Sequence, residues 1–442
     1  MFLLHETTRK LICRWAFVAL CVVPTCSTVA SALYSHRPWR CADLQRQLSQ
    51  RYHLQASVGA TCSVRPGVSR LSDLRLSDLR TAERLASLGE LQVQRTGAKL
   101  LLTADQIELE AGQLGTMTRA LETLLAEQAV PEIEFRADRL TINPAPQTGG
   151  NQRGPLRLAK LSVRSASPPE GNRRFWIQFE KTGEGEPSEI HLVIDELAQT
   201  NPPQLRLSID TQQAALPVWL LTEIVPGAGR CGDAQWTGTA QIEQHRAYSQ
   251  GELLGTLEAV PMSQLVGASE TQSIKGQATL KLQKLTWRNG RVEQARGVLK
   301  VTDGSVSHSL LTAATERMFC VPGVAFPKAT TSGTLQSVAF DELACSFRLS
   351  EAGITIWGTS HSGETRGCLI SRDNRPLLLQ PRYVELPVAQ LVQLLSQPAT
   401  SWLPATLEAQ RMAGALPLPS AVPNKKQEVA SQTTTDKEGV RR

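Results

Sequence analysis

Apolar residues recur at every second position through most of this chain, and that period constrains its architecture more than any other feature. The clearest stretch is Ile274-Lys-Gly-Gln-Ala-Thr-Leu-Lys-Leu-Gln283, where apolar or small residues alternate with polar ones. A strand turns successive side chains to opposite faces, so such a segment keeps one face dry and the other wet. The same alternation runs through Leu91 and Val93, Ile107 and Leu109, Ile133 and Phe135, and Leu140 and Ile142. It continues in Phe175, Ile177 and Phe179, in Ile190, Leu192 and Ile194, and in Leu205, Leu207 and Ile209. Leu299 and Val301, then Cys345, Phe347 and Leu349, then Ile354 and Ile356, complete the series. Half-wet strands belong to antiparallel sheets, and Asn289-Gly290 and Asp303-Gly304 read as the tight turns between them. The expected fold is mainly β (a β-rich α+β protein). It is an elongated, curved antiparallel sheet with short amphipathic helices, placed after an N-terminal export or anchor helix.

Some segments depart from that period. Leu44 to Leu54 reads as a short helix, and Ser69 to Leu91 as an exposed helix or flexible spacer around the tandem copy Arg70-Leu-Ser-Asp-Leu74 and Arg75-Leu-Ser-Asp-Leu79. Met117, Leu121, Leu124 and Leu125 fall on one helical face, and Leu310, Leu311 and Ala314 suggest another helix. Three times a strand runs into proline and then an apolar helical turn: Leu216-Pro217-Val218, Val260-Pro261-Met262 and Leu386-Pro387-Val388. Proline suits the first helical position, where a missing N–H costs nothing. The expected organisation is an export segment over 1–35, a helical or spacer segment over 36–90, and β-rich blocks over 91–210 and 211–395. The second block carries the strand–Pro–helix units, and a disordered tail rich in Pro, Ser, Thr and Lys fills 396–442.

The N-terminus sets the compartment. Arg9, Lys10 and Arg14 precede the apolar run Trp15–Val23, then come Pro24, expected to break the helix, and Ala30-Ser31-Ala32. That is the layout of a secretory signal with an A-x-A cleavage site. Residues 15–33 are also long enough to cross a bilayer if uncut, so export is expected, with either cleavage or an anchor in the cytoplasmic membrane. Of nine cysteines, six lie beyond this segment, and outside the cytosol they permit disulfides. Cys41–Cys62 is the favoured local pair and Cys320–Cys345 the next; buried free thiols are the other reading.

Chemistry is hard to find. GxxxxGK[ST], HExxH and CxxC are absent, and no GxGxxG follows a strand. Gly358-Thr-Ser-His-Ser-Gly363 has the wrong spacing for a nucleophile elbow at Ser360 or Ser362. Asp105, Glu108, Asp138 and Asp195 offer no obvious carboxylate pair. The formal charge of +6 is interleaved rather than gathered in a stripe, which argues against nucleic acid. No enzyme activity, metal or cofactor is expected. The candidate positions are apolar ones that line either a groove or a core: Ile274, Leu280, Leu282, Trp287, Leu205, Leu207 and Ile209. Trp236, Trp287 and Trp357 fit packing or a lipid-facing surface.

The pattern resembles the AsmA-like family of envelope proteins over roughly residues 90–395. The likeness rests on Leu100-Leu-Leu-Thr-Ala-Asp-Gln-Ile-Glu-Leu109, Phe135-Arg-Ala-Asp-Arg-Leu-Thr-Ile142 and Trp236-Thr-Gly-Thr-Ala-Gln-Ile242. It continues through Gly251-Glu-Leu-Leu-Gly-Thr-Leu257, Pro261-Met-Ser-Gln-Leu-Val266 and Ile274-Lys-Gly-Gln-Ala-Thr-Leu280. The resemblance implies a non-enzymatic protein of the periplasm or cell envelope, whose partners are membrane lipids and envelope proteins. An apolar concave face would solvate acyl chains, each square ångström buried contributing about 25 cal/mol. A structural or adaptor protein that scaffolds partners is the alternative.

Overall fold

Alternation becomes a single sheet in the computed structural model of the chain. The structure describes residues 24–26, 42–43, 45–46, 49–50, 54–65, 67–97, 99–113, 116–117, 132–145, 153–166, 173–181, 188–197, 204–222, 224–244, 249–266, 273–327, 337–361, 365–383 and 385–388. Among these residues twenty strands join into one curved, unclosed, mostly antiparallel sheet.

Its order follows the chain closely. β1 (Leu54–Ser57) and β2 (Ala60–Arg65) lie end to end along β3 (Val68–Asp78), which pairs with β4 (Arg84–Thr96), and β4 with β5 (Lys99–Glu110). β6 (Glu132–Asn143) joins β5 in parallel, which demands a crossover. A meander of β7 (Leu156–Ala166), β8 (Arg174–Lys181), β9 (Ser188–Leu197) and β10 (Gln204–Asp210) follows. β10 and the short β11 (Leu216–Pro217) share one edge of β12 (Gln235–Gln244). Then come β13 (Ser249–Pro261), β14 (Ile274–Arg288) and β15 (Arg291–Ser307). β15 pairs with β17 (Ser337–Leu349), whose far edge takes both β18 (Ile354–Gly358) and β19 (Cys368–Arg372). β20 (Arg375–Pro381) follows, and β16 (Cys320–Pro322) lies beyond it. Because β10 pairs with both β9 and β12, the two expected β blocks meet edge to edge in one sheet.

A crease bends the first strands. The dry residues there are three apart instead of two: Leu71 and Leu74, Leu88 and Leu91, Ala104 and Ile107, Ala137 and Leu140, Leu158 and Leu161. All five steps fall in line, since Leu71 faces Leu91, Leu91 faces Ala104, Ala104 faces Ala137 and Ala137 faces Leu161. Asp73 and Lys160 mark the line with φ of 50° and 51°. In β3 and β7 one residue of left-handed backbone returns the next side chain to the same face and turns the strand, and the aligned irregular steps of all five strands curve the sheet.

Several expectations are corrected here. Ser69–Leu91 is neither helix nor spacer but the β3–β4 hairpin, with the tandem Arg-Leu-Ser-Asp-Leu copies on β3 and the turn after it. Of the expected Leu44–Leu54 helix, residues 45–46 and 49–50 are helical, while Leu54 opens β1. Asn289-Gly290 is the expected turn, both residues at positive φ, whereas Asp303-Gly304 lies inside β15. Asp303 at φ 54° kinks that strand, and Gly304 leaves room for the Phe340 ring, which a Cβ would meet at 2.3 Å. Pro24 is helical rather than a breaker. The rest of residues 15–33, Cys41, Leu121, Leu124, Leu125 and the 396–442 tail lie outside the described residues. No helix among the described residues is long and apolar enough to cross a membrane.

The expected helix around Leu310 is α2 (His308–Arg317), capped by Ser307, whose Oγ accepts from the Leu310 N–H at 3.3 Å. The first two strand–Pro–helix units also form. Leu216–Pro217 runs into a 3₁₀ turn at Val218–Leu221, and β13 ends at Pro261 before α1 (Met262–Val266). Leu386, bridged to Ile354, precedes a helical Val388.

Candidate functional site

Residues directly opposite on neighbouring strands share a face, so register shows what that face carries. One row can be followed across the sheet. It starts at Val93 on β4 and passes through Leu102, Phe135, Val163, Ile177, Leu192 and Ile209 on β10. It goes on through Ala240, Leu253, Leu285, Ala295 and Leu349 to Ile354 on β18, which bridges Leu386. Every member is apolar.

The two halves of this row differ in cover. From Ala240 onward all members except Leu285 are buried. The Val218–Leu221 turn, a second 3₁₀ turn at Ala228–Cys231, α1 and α2 contribute Trp219, Leu221, Cys231, Met262 and Leu311 to the same apolar cluster. From Val93 to Ile209 each member is only half-buried. The one described helical element with a buried residue beside these strands is the 3₁₀ turn Ala111–Gln113, which contributes Ala111. The candidate site is this stripe of half-exposed side chains across β4–β10. Phe175, Ile194 and Leu205 form a satellite cluster at its border.

Among the expected groove-or-core positions, Ile274, Leu282, Trp287 and Leu205 are buried, so they pack as core. Leu280, Leu207 and Ile209 are half-buried, and Ile209 belongs to the stripe. Trp236 and Trp287 are also core, the latter filling the space above Gly251, whose Cβ would stand 2.2 Å from the indole; Trp357 is exposed. The Trp236 indole N–H donates to the Leu254 carbonyl at 3.2 Å.

A polar cleft of about 250 Å³ opens where β7, β8 and the β11–β12 connection meet. Leu156, Pro217 and Trp219 form apolar walls, and Arg153, Lys181 and Gln235 bring polar groups. Arg153 donates from Nε to Asp233 Oδ1 at 2.8 Å and from Nη2 to the Gly232 carbonyl at 3.1 Å. Lys181 Nζ donates to the Ala215 carbonyl, and among the described residues it meets no carboxylate. Burial disfavours its charged form and holds its pKa below the ordinary lysine value. The Gln235 side-chain oxygen is buried without a hydrogen-bond partner among the described residues. The sequence does hint at this site. Lys181 follows Phe175, Ile177 and Phe179 at the same two-residue spacing, a cation on an otherwise dry face.

Ser360 and His361, from the stretch with elbow-like composition, converge on Glu342. Its carboxylate accepts from Ser360 Oγ at 3.0 Å, the His361 backbone N–H at 2.8 Å and Lys300 Nζ at 2.9 Å. Burial works to raise the Glu342 pKa, but these donors outweigh it and bring it down to about 2. Ser360 Oγ also lies 2.8 Å from Ser371 Oγ, and the exposed His361 ring reaches Glu342 rather than Ser360. A carboxylate so saturated and so acidic is a poor base, and the group acts as a latch between β17, β19 and the loop after β18.

Cys62, Cys320 and Cys345 are free thiols in this structure, the second of the two readings, and Cys41 lies outside the described residues. Cys320 lies on β16, which pairs with β20, and Cys345 on β17, which pairs with β15, β18 and β19, so they do not face each other across one hairpin. Burial, with the Cys345 thiol adding to it, pushes Cys320 up to about 12.

No protein-family model and no curated protein matches the chain.

Proposed function

We propose that this chain is an exported, membrane-associated and non-enzymatic protein of the cell envelope, AsmA-like in type. In this reading residues 15–33 deliver it to the cytoplasmic membrane, and the apolar stripe across β4–β10 binds lipid. The observation that carries it is the row from Val93 to Ile209. Seven consecutive strands present an aligned apolar side chain, each half-exposed, on a creased sheet whose edges do not close. These side chains pack against the core on one side and keep part of their surface open to solvent, and a continuous apolar row of that kind suits a flexible hydrocarbon chain better than it suits a polar substrate.

The test is the lipid content of the full chain, purified from membranes and extracted for mass spectrometry. Phospholipid should accompany the wild-type chain and be lost from Ile177→Glu. A natively folded wild-type chain free of lipid would overturn the reading.

A second reading, a scaffold for envelope proteins, has its own support at the β16–β20 border. Phe319 and Tyr383 stand exposed there, with ring centroids 5.0 Å apart in an edge-to-face arrangement. Cross-linking in membranes through Tyr383 separates the two: a single dominant protein neighbour, with no lipid retained, favours the scaffold.

A further inference from the structure

The stripe and the polar cleft meet on one strand. β8 turns Phe175, Ile177, Phe179 and Lys181 to the same face. At about 3.3 Å per residue the Lys181 position lies roughly 13 Å along the strand from Ile177 and roughly 20 Å from Phe175. One leaflet of membrane hydrocarbon is about 15 Å deep, half of a 30 Å core. A lipid with its headgroup in the cleft therefore passes Phe179 along β8 and reaches the stripe at Ile177, where the rest of its hydrocarbon can turn across the strands.

Resting on the lipid reading above, we propose that the cleft is a headgroup site for a phosphate ester that carries a free hydroxyl. Lys181 and Arg153 meet the phosphate, and Gln235 Oε1 accepts from the hydroxyl.

Charge supports the assignment. Arg153 is paired with Asp233, whose side chain is 72% exposed and so well screened by water, and Lys181 adds a second cation to the lining that meets no carboxylate among the described residues. The Lys181 ammonium carries three donors and the Ala215 carbonyl occupies one, which leaves the others for a ligand. The two cations come from different elements, and a tetrahedral anion with several oxygens bridges them. Gln235 supplies the second requirement: a buried acceptor without a donor is costly, and a headgroup hydroxyl satisfies it. The cavity, at about 250 Å³, accommodates a glycerophosphate-sized group, while hydrocarbon is left to the stripe.

Calorimetric titration of the full chain tests this with four soluble probes: dihexanoyl phosphatidylglycerol, dihexanoyl phosphatidylcholine, dihexanoylglycerol and glycerol 3-phosphate. Phosphatidylglycerol should bind tightest, and Lys181→Met should weaken it about tenfold, with Lys181→Arg restoring it. Dihexanoylglycerol should bind Lys181→Met as it binds the wild type, which also shows that the variant is folded. Gln235→Leu should reduce phosphatidylglycerol to the affinity of phosphatidylcholine, which lacks the hydroxyl donor. If glycerol 3-phosphate binds as tightly as phosphatidylglycerol and the same variants weaken it, the site stands and its ligand is a soluble ester. If Lys181→Met and Arg153→Gln both bind phosphatidylglycerol like the wild type while dihexanoylglycerol still binds, the headgroup site is overturned and the lipid-binding stripe survives. If no lipid probe binds the wild type, the stripe reading falls as well.

Discussion

The sheet from β4 to β10 and the sheet from β12 to β18 share one apolar row, yet they dispose of it in opposite ways. The later half puts Trp219, Leu221, Met262 and Leu311 over its dry face and buries Trp236 and Trp287 completely or nearly so. The earlier half leaves Leu102, Phe135, Val163 and Ile177 half-exposed. Alternation alone therefore does not make a core. What makes one is the set of proline-led helical turns, inserted after β11 and after β13, that carry apolar residues back over the sheet. Across β4–β10 the crease residues are buried, but the row two positions away, from Val93 to Ile209, is left only half-buried.

Truncation separates the halves most sharply. Trp236 is fully buried and hydrogen-bonded, and it stands beside Gly255, whose Cβ would come within 2.9 Å of the indole nitrogen. Trp236→Ala should cost about 3–5 kcal/mol in denaturant unfolding, the range for emptying a packed aromatic site. Phe135→Ala, on the half-exposed row, should cost roughly half of that or less, since part of its surface is already in water. Equal losses at the two positions would mean that the stripe is core and would remove the contrast.

Acid should act on the covered half through Glu342. Its folded pKa of about 2 lies below the ordinary 4.5, so the folded state favours the ionised form. That stabilisation is complete above about pH 4.5 and disappears as the pH falls towards 2. The full shift corresponds to about 3 kcal/mol, and about 2 is the better figure because its partner Lys300 is 53% exposed. Glu342→Gln should therefore lower stability at pH 7 by about 2 kcal/mol and flatten the wild-type decline between pH 4.5 and 2. A variant whose stability falls over that window as steeply as the wild type's would show that other carboxylates govern the acid limb.

How much of this could be read from the residues depends on distance along the chain. Period two identified the strands from Leu91 onward, and Pro217, Pro261 and Leu386–Val388 marked the helical turns. The β3–β4 hairpin was misread for a physical reason. At the crease Leu71 and Leu74, then Leu85, Leu88 and Leu91, stand three apart, which imitates the spacing of a helix. Asp303-Gly304 misled in the same way, since a left-handed residue serves a bulge as readily as a turn. The full row from Val93 to Ile354 was invisible because it is a property of register, set by loops and kinks between distant strands. The cleft was harder still: Arg153, Lys181 and Gln235 come from three elements that only curvature brings together.

The smallest expected effect is the most discriminating. Val163 in the stripe and Val301 in the covered half are both strand valines with the same shape, but Val301 has no exposed surface. Valine to threonine keeps the shape and adds a hydroxyl, whose cost depends on whether water can reach it. Val301→Thr should lose about 1–3 kcal/mol, the penalty for a buried polar group without a partner. Val163→Thr should lose under about 0.5 kcal/mol, as surface substitutions do, while lowering the amount of lipid that accompanies the chain. Because stability barely moves, a fall in bound lipid at Val163→Thr reports on the surface itself rather than on unfolding. If Val163→Thr is as costly as Val301→Thr, the row is dry from end to end and β4–β10 offers no place for a hydrocarbon chain.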